Sequence, residues 1–309
     1  MPVSPMRARP KPASPGAIAR ALEARAAWRL VGPTAALMLV LLVLPTLAVL
    51  ALSLTDAELG VPEINFLGLD AYADLLTDRT FRGALRNTAL YVAMVAPASV
   101  LLGLGLALLI EAEVAGRAFF RSVYFLPVVS LVVAMASVWQ YLMHPSIGPI
   151  NLVLRLAGFA GVNWLGSSDN VLLALAVIGV WQALGFNMVL FLAGLTAIDR
   201  TLYAAAEMDG VRSAWDRFRI VTWPMLGPTT LFVITISVIN AVKAFETVAT
   251  LTQGGPAKAS ETLLWVIYQE GFVYLHVGSA SAMAVVFIAL CLFVLVIQTR
   301  VLDKQVHYG

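Results

Sequence analysis

Charge is scarce in this chain. Only 12% of its 309 residues are charged and 60% are hydrophobic, whereas soluble domains carry about 25% charged residues. A solvated globular domain is thereby excluded. Cysteine is nearly missing: Cys291 stands alone in an apolar run, so no internal disulfide can form, and it reads as a small buried hydrophobe. The three histidines, His144, His276 and His307, lie in loops or the tail without His-Glu-x-x-His spacing. An intramembrane enzyme needs a nucleophile–base pair or a metal cluster, and neither has residues to draw on. The Gly-x-x-x-x-Gly-Lys-Ser/Thr loop that cradles nucleotide phosphates is also absent. The chain is therefore expected to hydrolyse no ATP and to bind no metal or cofactor of its own, and no nucleic-acid partner is expected.

What the sequence does have is long apolar runs. Six stand out, at about Leu30–Leu54, Ala84–Leu109, Phe119–Met143, Val171–Leu195, Met225–Leu251 and Val277–Thr299. Each is long enough to cross ~30 Å as a helix rising 1.5 Å per residue. Lipid offers no partner to an exposed backbone, which forces helix. The fold predicted is an all-α integral membrane domain of six transmembrane helices over residues 30–300, with tails at 1–29 and 301–309. The net charge of +2 matters less than its distribution. Arg7, Arg9, Lys11, Arg20, Arg25, Arg29, Arg117, Arg121, Arg200, Arg212, Arg217, Arg219, Arg300 and Lys304 fall on segments of one side. Asp56, Glu58, Glu63, Asp70, Asp74 and Asp78 fall on the other. Basic loops stay inside, so both termini and the segment near 199–223 are expected in the cytoplasm. The first 29 residues, rich in Pro, Ala and Arg, are expected to be mobile to near Ala24, and the run after them is read as an uncleaved first span.

The segment Tyr203–Pro224 is polar between two apolar runs. Thr201–Met208 is helix-prone, Gly210 interrupts it, Asp209 is placed to cap the next helical stretch, and Ser213–Val221 forms that second stretch. Pro224 suits the first turn of the next helix. Two short helices at an angle make a knob that a partner backbone can approach across Ala204, Ala205 and Ala206. An ordinary connector lying on the bilayer fits the same pattern.

The register Tyr203, Ala205, Ala206, Asp209, Gly210, Phe218, Ile220 and Pro224 resembles the coupling loop of ABC importer permeases of the carbohydrate-type, MalF-like family. That family usually has Glu where Ala204 stands; Glu207, three residues on, is the nearest acid that could replace it. Phe66-Leu67-Gly68-Leu69-Asp70, Phe119-Phe120-Arg121-Ser122 with Phe125-Leu126-Pro127, Trp139, Pro145, Gly148, Asn151, Leu192–Leu195 and Leu251–Pro256 follow the family in order. Glu261-Thr262-Leu263, Ile267–Phe272 and Val301–Tyr308 are similar to its sn-glycerol-3-phosphate permeases. The resemblance implies the type I importer (MetI-like) fold. It also implies transport of sn-glycerol-3-phosphate or a related glycerophospho compound, with a sugar or oligosaccharide as the alternative. The partners implied are a homologous second permease, an extracytoplasmic solute-binding protein and two ATPase subunits that carry ATP and magnesium. The setting implied is the bacterial inner membrane. The coupling residues implied are Tyr203, Ala204, Ala205, Ala206, Glu207, Asp209, Gly210 and Phe218. A secondary transporter would usually show more spans and an inverted repeat with broken helices.

Polar groups inside the spans are costly and mark sites. Ser237, Asn240 and Lys243 recur at helical spacing in the fifth span, with Glu246, Thr247 and Thr250 continuing the stripe. Lys243 and Glu246, three apart, are placed to pair. The stripe is read either as a wall of the translocation path or as a structural seal. In the fourth span Trp181, Gln182, Phe186 and Asn187 gather within two turns. They suit a hydroxylated substrate, or equally a Trp packed between helices with an Asn bonded across them. The resemblance adds that Ala183, Phe186 and Ser237 align with sugar-contacting positions of maltose permeases, with different side chains at the first two. Lys243 is the only mid-membrane cation available to a phosphate.

Overall fold

A computed structural model describes residues 15–112 and 116–302. The first 14 residues of the expected N-terminal tail and most of the C-terminal tail (303–309) lie outside the described residues. The chain divides into two units at residues 51 and 52. The first contains a helix that starts at Pro15, where a mobile tail was expected, and passes through a π-turn at Leu39–Val43. Its membrane-length part is α1, Ala27–Leu52.

The second unit is built around α7 (Val171–Thr196). Against it pack α3 (Arg79–Ala112), most extensively, then α4 (Arg117–Val129) and α10 (Gly227–Val242). Other helices are α2 (Asp70–Thr77), α5 (Val132–Leu142), α6 (Pro149–Leu156), α8 (Arg200–Met208), α9 (Ala214–Arg217), α11 (Glu246–Leu251), α12 (Leu263–Tyr268) and α13 (Val277–Leu302). Close packing without a hydrophobic drive needs small residues at the crossings. Gly185 of α7 supplies one: a Cβ there would overlap the carbonyl of Tyr124 and sit 3.1 Å from Cα of Phe125, both in α4.

Among the described residues five helices are long and apolar enough to cross a membrane, and α4 with α5 makes a sixth if the bent pair counts as one. The third predicted span is thus corrected. It is not one straight helix but two, bent by 102° at Ser130–Leu131. Pro127 removes a backbone donor from the last turn of α4, Ser130 and Leu131 turn extended, and the Ser130 hydroxyl donates to the carbonyl of Leu126 at 2.8 Å. The fifth predicted span stays one membrane-length run, Gly227–Leu251, with a local interruption: α10 ends at Val242, Lys243 caps it and α11 starts at Glu246, with Phe245 between them outside helical geometry.

Loop segments at one end are held by side chains. Asn151, fully buried, donates to the carbonyls of His144 and Val162 at 3.1 and 2.9 Å and accepts the Val162 N–H at 2.9 Å. Thr88 of α3 accepts the Leu263 N–H at 2.8 Å, and Thr262 donates to the carbonyl of Ala244 at 2.8 Å. These bonds tie the segment before α12 to α3 and to the break after α10.

Candidate functional site

Polar side chains in an apolar bundle must find partners or water. At the crossing of α3, α7 and α10 three of them find each other. Asn187, 1% exposed, donates from Nδ2 to Ser99 Oγ at 3.1 Å and accepts the Ser237 hydroxyl at Oδ1, also at 3.1 Å. This chain of bonds links three helices at mid-depth.

A cavity of about 570 Å³ opens beside it. Gln182, Phe186, Asn187, Ser237, Asn240, Lys243 and Glu246 all line it, as does Ala183. The fifth-span residues keep to one side across the interruption at Ala244–Phe245, and Lys243 and Glu246, both exposed, reach the same space. The pairing expected between Lys243 and Glu246 is absent; neither takes part in an ion pair among the described residues. The cause is the interruption, which removes the i,i+3 helical geometry. Lys243 and Glu246 thus stand as a separate cation and anion in a wall otherwise made of amides, hydroxyls and aromatic rings.

Trp181 does not line this cavity. It packs edge-on against Trp139 of α5, ring centroids 5.4 Å apart, on the side of α7 where α5 lies. Two residues that the fourth- and fifth-span patterns miss do line it: Tyr91 of α3 and Phe245. Tyr91 was findable, since Tyr91, Val95 and Ser99 recur every four residues along α3 and put two polar groups on one face. Phe245 was not, because its placement depends on the helix break.

The segment 199–222 is the second candidate. Asp199 caps α8, its carboxylate accepting the Thr201 N–H at 2.9 Å. Tyr203 and Ala206 turn inward: the Tyr203 hydroxyl lies 3.1 Å from Thr222 Oγ1, and Ala206 is buried in the core with Val221 and Leu226. Ala204, Ala205, Glu207, Met208, Asp209 and Gly210 are exposed. Gly210 adopts φ +89°, and the chain reverses there with Val211 N–H donating to the carbonyl of Ala206 at 3.0 Å. Asp209 closes α8 instead of capping the next helix; Ser213 is the cap of α9, accepting the Trp215 N–H at 3.2 Å. Serine takes that role because the chain leaves the Gly210 reversal only at Ser213, in extended geometry. Phe218 stacks on Trp215 at 5.6 Å and begins a π-turn, Phe218–Thr222, that leads into Pro224. The knob is therefore rooted in the core at Tyr203, Ala206 and Val221, and offers its Ala204–Gly210 face outward.

The cap carries a pH dependence. The Thr201 N–H, then the Thr201 side chain, hold the Asp199 carboxyl below the usual carboxylate range. A group depressed on folding stabilises above its unfolded value near pH ~4 and loses that contribution as pH falls through the folded value. Amide exchange at Thr201, corrected for its intrinsic rate, is expected to accelerate only on acidification below about pH 4. In Asp199→Asn, which still caps, protection should persist in acid. Protection that stays flat for the parent chain down to pH ~3 would contradict this role for the carboxylate.

The chain is similar to known proteins over most of its length. Residues 99–308 match the family described as "Binding-protein-dependent transport system inner membrane component". A sn-glycerol-3-phosphate transport system permease protein, UgpA, from Agrobacterium fabrum is 32% identical over 246 residues, covering 79% of this chain and 83% of that one. The trehalose/maltose transport system permease protein MalF of Thermococcus litoralis is 30% identical over 241 residues, covering 78% and 81%. Among solved structures, a chain of a bacterial alginate ABC transporter, in complex with an alginate pentasaccharide-bound periplasmic protein, superposes with TM-score 0.75 at 20% identity. That match covers 91% of this chain and 95% of that one, and it shows the fold.

Proposed function

The chain belongs to the family of binding-protein-dependent transport system inner membrane components, the permease subunits of ABC importers, and we propose that it forms half of a translocation path for sn-glycerol-3-phosphate or a related glycerophospho compound. One observation carries the reading beyond the family. Helix α7 supplies Gln182, Phe186 and Asn187 to the polar cavity and runs, four residues past its end, into the exposed knob at Arg200–Gly210. A push on the knob is therefore delivered to the helix that walls the cavity.

On this reading ATP closes a dimer of partner ATPase subunits, and the Ala204–Gly210 face, with Tyr203 and Phe218 behind it, receives the movement. α7 then shifts against α3 and α10, and the cavity exchanges one opening for the other. The binding energy of ATP, different for the two states, sets their populations. A second, homologous permease completes the path, and an extracytoplasmic binding protein delivers the solute. Both termini and the knob face the cytoplasm.

The phosphate is assigned to Lys243, the cavity's cation, which makes no ion pair with Glu246 although both line the cavity. Gln182 and Asn240 are placed for hydroxyl groups and Phe186 for carbon–hydrogen faces. A second reading, a sugar or oligosaccharide, draws on the same neutral and aromatic walls and on the trehalose/maltose name of the Thermococcus relative.

Uptake of labelled glycerol-3-phosphate by starved cells, with and without this chain, separates the two. High-affinity uptake is expected to disappear without it and return with it. Lys243→Gln should cut that uptake about tenfold, the worth of one charge-assisted hydrogen bond. It should spare a neutral disaccharide tested in parallel. Uptake of glycerol-3-phosphate that ignores the chain would move the assignment to a sugar.

A further inference from the structure

We propose that a second cleft, where the last turns of α3 and α7 meet the segment 199–222, binds a phosphate group, and that the headgroup of an anionic phospholipid supplies it. The cleft measures about 420 Å³ and is separate from the mid-depth cavity. Three guanidinium groups from three different elements line it: Arg117 at the start of α4, Arg200 at the start of α8 and Arg217 at the end of α9. Among the described residues the single acid in the lining, Glu111, is already engaged by Arg117 at 3.2 Å. Arg200 and Arg217 enter no ion pair among the described residues. The described lining thus holds an excess of positive charge, with two arginines outside any ion pair and able to fork onto an oxyanion. Planar guanidinium groups suit phosphate oxygens, which they can meet bidentately.

The level of the cleft identifies the source. Its apolar wall includes Leu108 and Leu195, in the last turns of two membrane-length helices that end at Ala112 and Thr196. The arginines begin where the two membrane-length helices end, the level at which lipid phosphates are expected. Leu109, next to the lining Leu108, is 66% exposed and offers an acyl chain apolar surface outside the cleft. A soluble phosphate would use the same guanidinium groups but gain nothing from that surface.

Occupancy has a structural consequence. Arg200 and Arg217 stand near the two ends of the segment 199–222, and Arg217 lies over the ring of Tyr203, 5.7 Å from its centroid. One phosphate held by both would clamp the ends of the knob together around Tyr203.

The test is lipid binding by the purified full-length chain, followed by native mass spectrometry, with phosphatidylglycerol, phosphatidylcholine and inorganic phosphate as probes. One phosphatidylglycerol should bind in preference to phosphatidylcholine. Arg200→Gln/Arg217→Gln should weaken it roughly 30-fold, as expected for two basic residues at a membrane surface. Arg212→Gln/Arg219→Gln removes the same charge from the same segment outside the cleft and should leave that affinity within about threefold. Equal losses in the two double variants, or no preference between the lipids, would overturn the site. Arginine-dependent binding of inorganic phosphate, with phosphatidylglycerol excluded, would overturn the lipid as its source. The measurement reads no transport, so its outcome is independent of the substrate assignment.

Discussion

A Gly185→Leu chain is expected to lose the native packing of α4 on α7. The first atom of any side chain at 185 would fall on the carbonyl of Tyr124 and press the Cα of Phe125 at 3.1 Å. These are backbone atoms and cannot swing aside as the end of a side chain does, so α4 must move off α7. Overpacking of this kind costs about 1–3 kcal/mol where side chains can adjust, and a backbone collision belongs at or above the top of that range. The effect reaches the cavity because Val128 of α4 lines it beside Gly179 and Gln182 of α7. Melting of the detergent-solubilised chain should fall by several degrees and uptake should fall with it. Gly105→Leu in α3 is the matched comparison, since a Cβ at that glycine meets nothing within 4 Å. If Gly185→Leu melts with the parent chain, the close approach of the two helices is wrong.

The second large effect is expected at Gly210. Its φ of +89° lies in the left-handed region, where a β-branched residue is strained by about 1–3 kcal/mol. Gly210→Val can relieve that strain by breaking the reversal, in which Gly210 and Val211 donate to the carbonyls of Glu207 and Ala206 at 3.1 and 3.0 Å. The last turn of α8 would unwind, and with it the exposed face from Ala204 to Asp209. The root of the knob, at Tyr203 and Ala206, and the cavity above it are untouched. Uptake is therefore expected to drop at least about tenfold, while the amount of chain in the membrane stays at the parental level. Gly210→Asn, which tolerates the left-handed region, should keep a substantial part of the activity. Adding Asp209→Ala to Gly210→Val should abolish uptake. A Gly210→Val chain that transports at the parental rate would remove the reversal from the mechanism.

The two expectations probe parts of the molecule that were legible to different degrees. The knob could be read residue by residue because its signals are local. A glycine must stand where φ is positive, a serine or aspartate where a helix starts, and a proline where a helix can spare a donor. The one local misreading, Asp209 as a cap, came from a competition between neighbours: both Asp209 and Ser213 have the chemistry, and the Gly210 reversal left the capping geometry to Ser213. The resemblance to importer permeases rested on the same local register, and the relatives agree with it.

The spans were legible as lengths of apolar sequence but not as shapes. The third run bends at Ser130–Leu131, just past Pro127, whereas α3 runs on through Pro97. A proline's own chemistry is the same in both, and only its neighbours decide whether the freed carbonyl is tolerated. Trp181 shows a related limit. Within two turns of one helix Gln182 and Phe186 face the cavity while Trp181 faces α5, and that choice belongs to the helices that pack around α7.

The amino-acid sequence by itself therefore determined the class of the protein, the existence of membrane-length helices, the knob and most of the polar residues that gather at the cavity. These follow from hydrophobicity, charge and backbone preference, which act over one residue or one helical turn. Only the tertiary structure decided that α10 ends at Val242, that Lys243 and Glu246 form no ion pair, that Asn187 joins Ser99 to Ser237, and that Arg117, Arg200 and Arg217 share a cleft. Each of those facts sets together groups far apart in the chain or separated by a break in a helix, and the packing of several helices on α7, not the local pattern, holds them there.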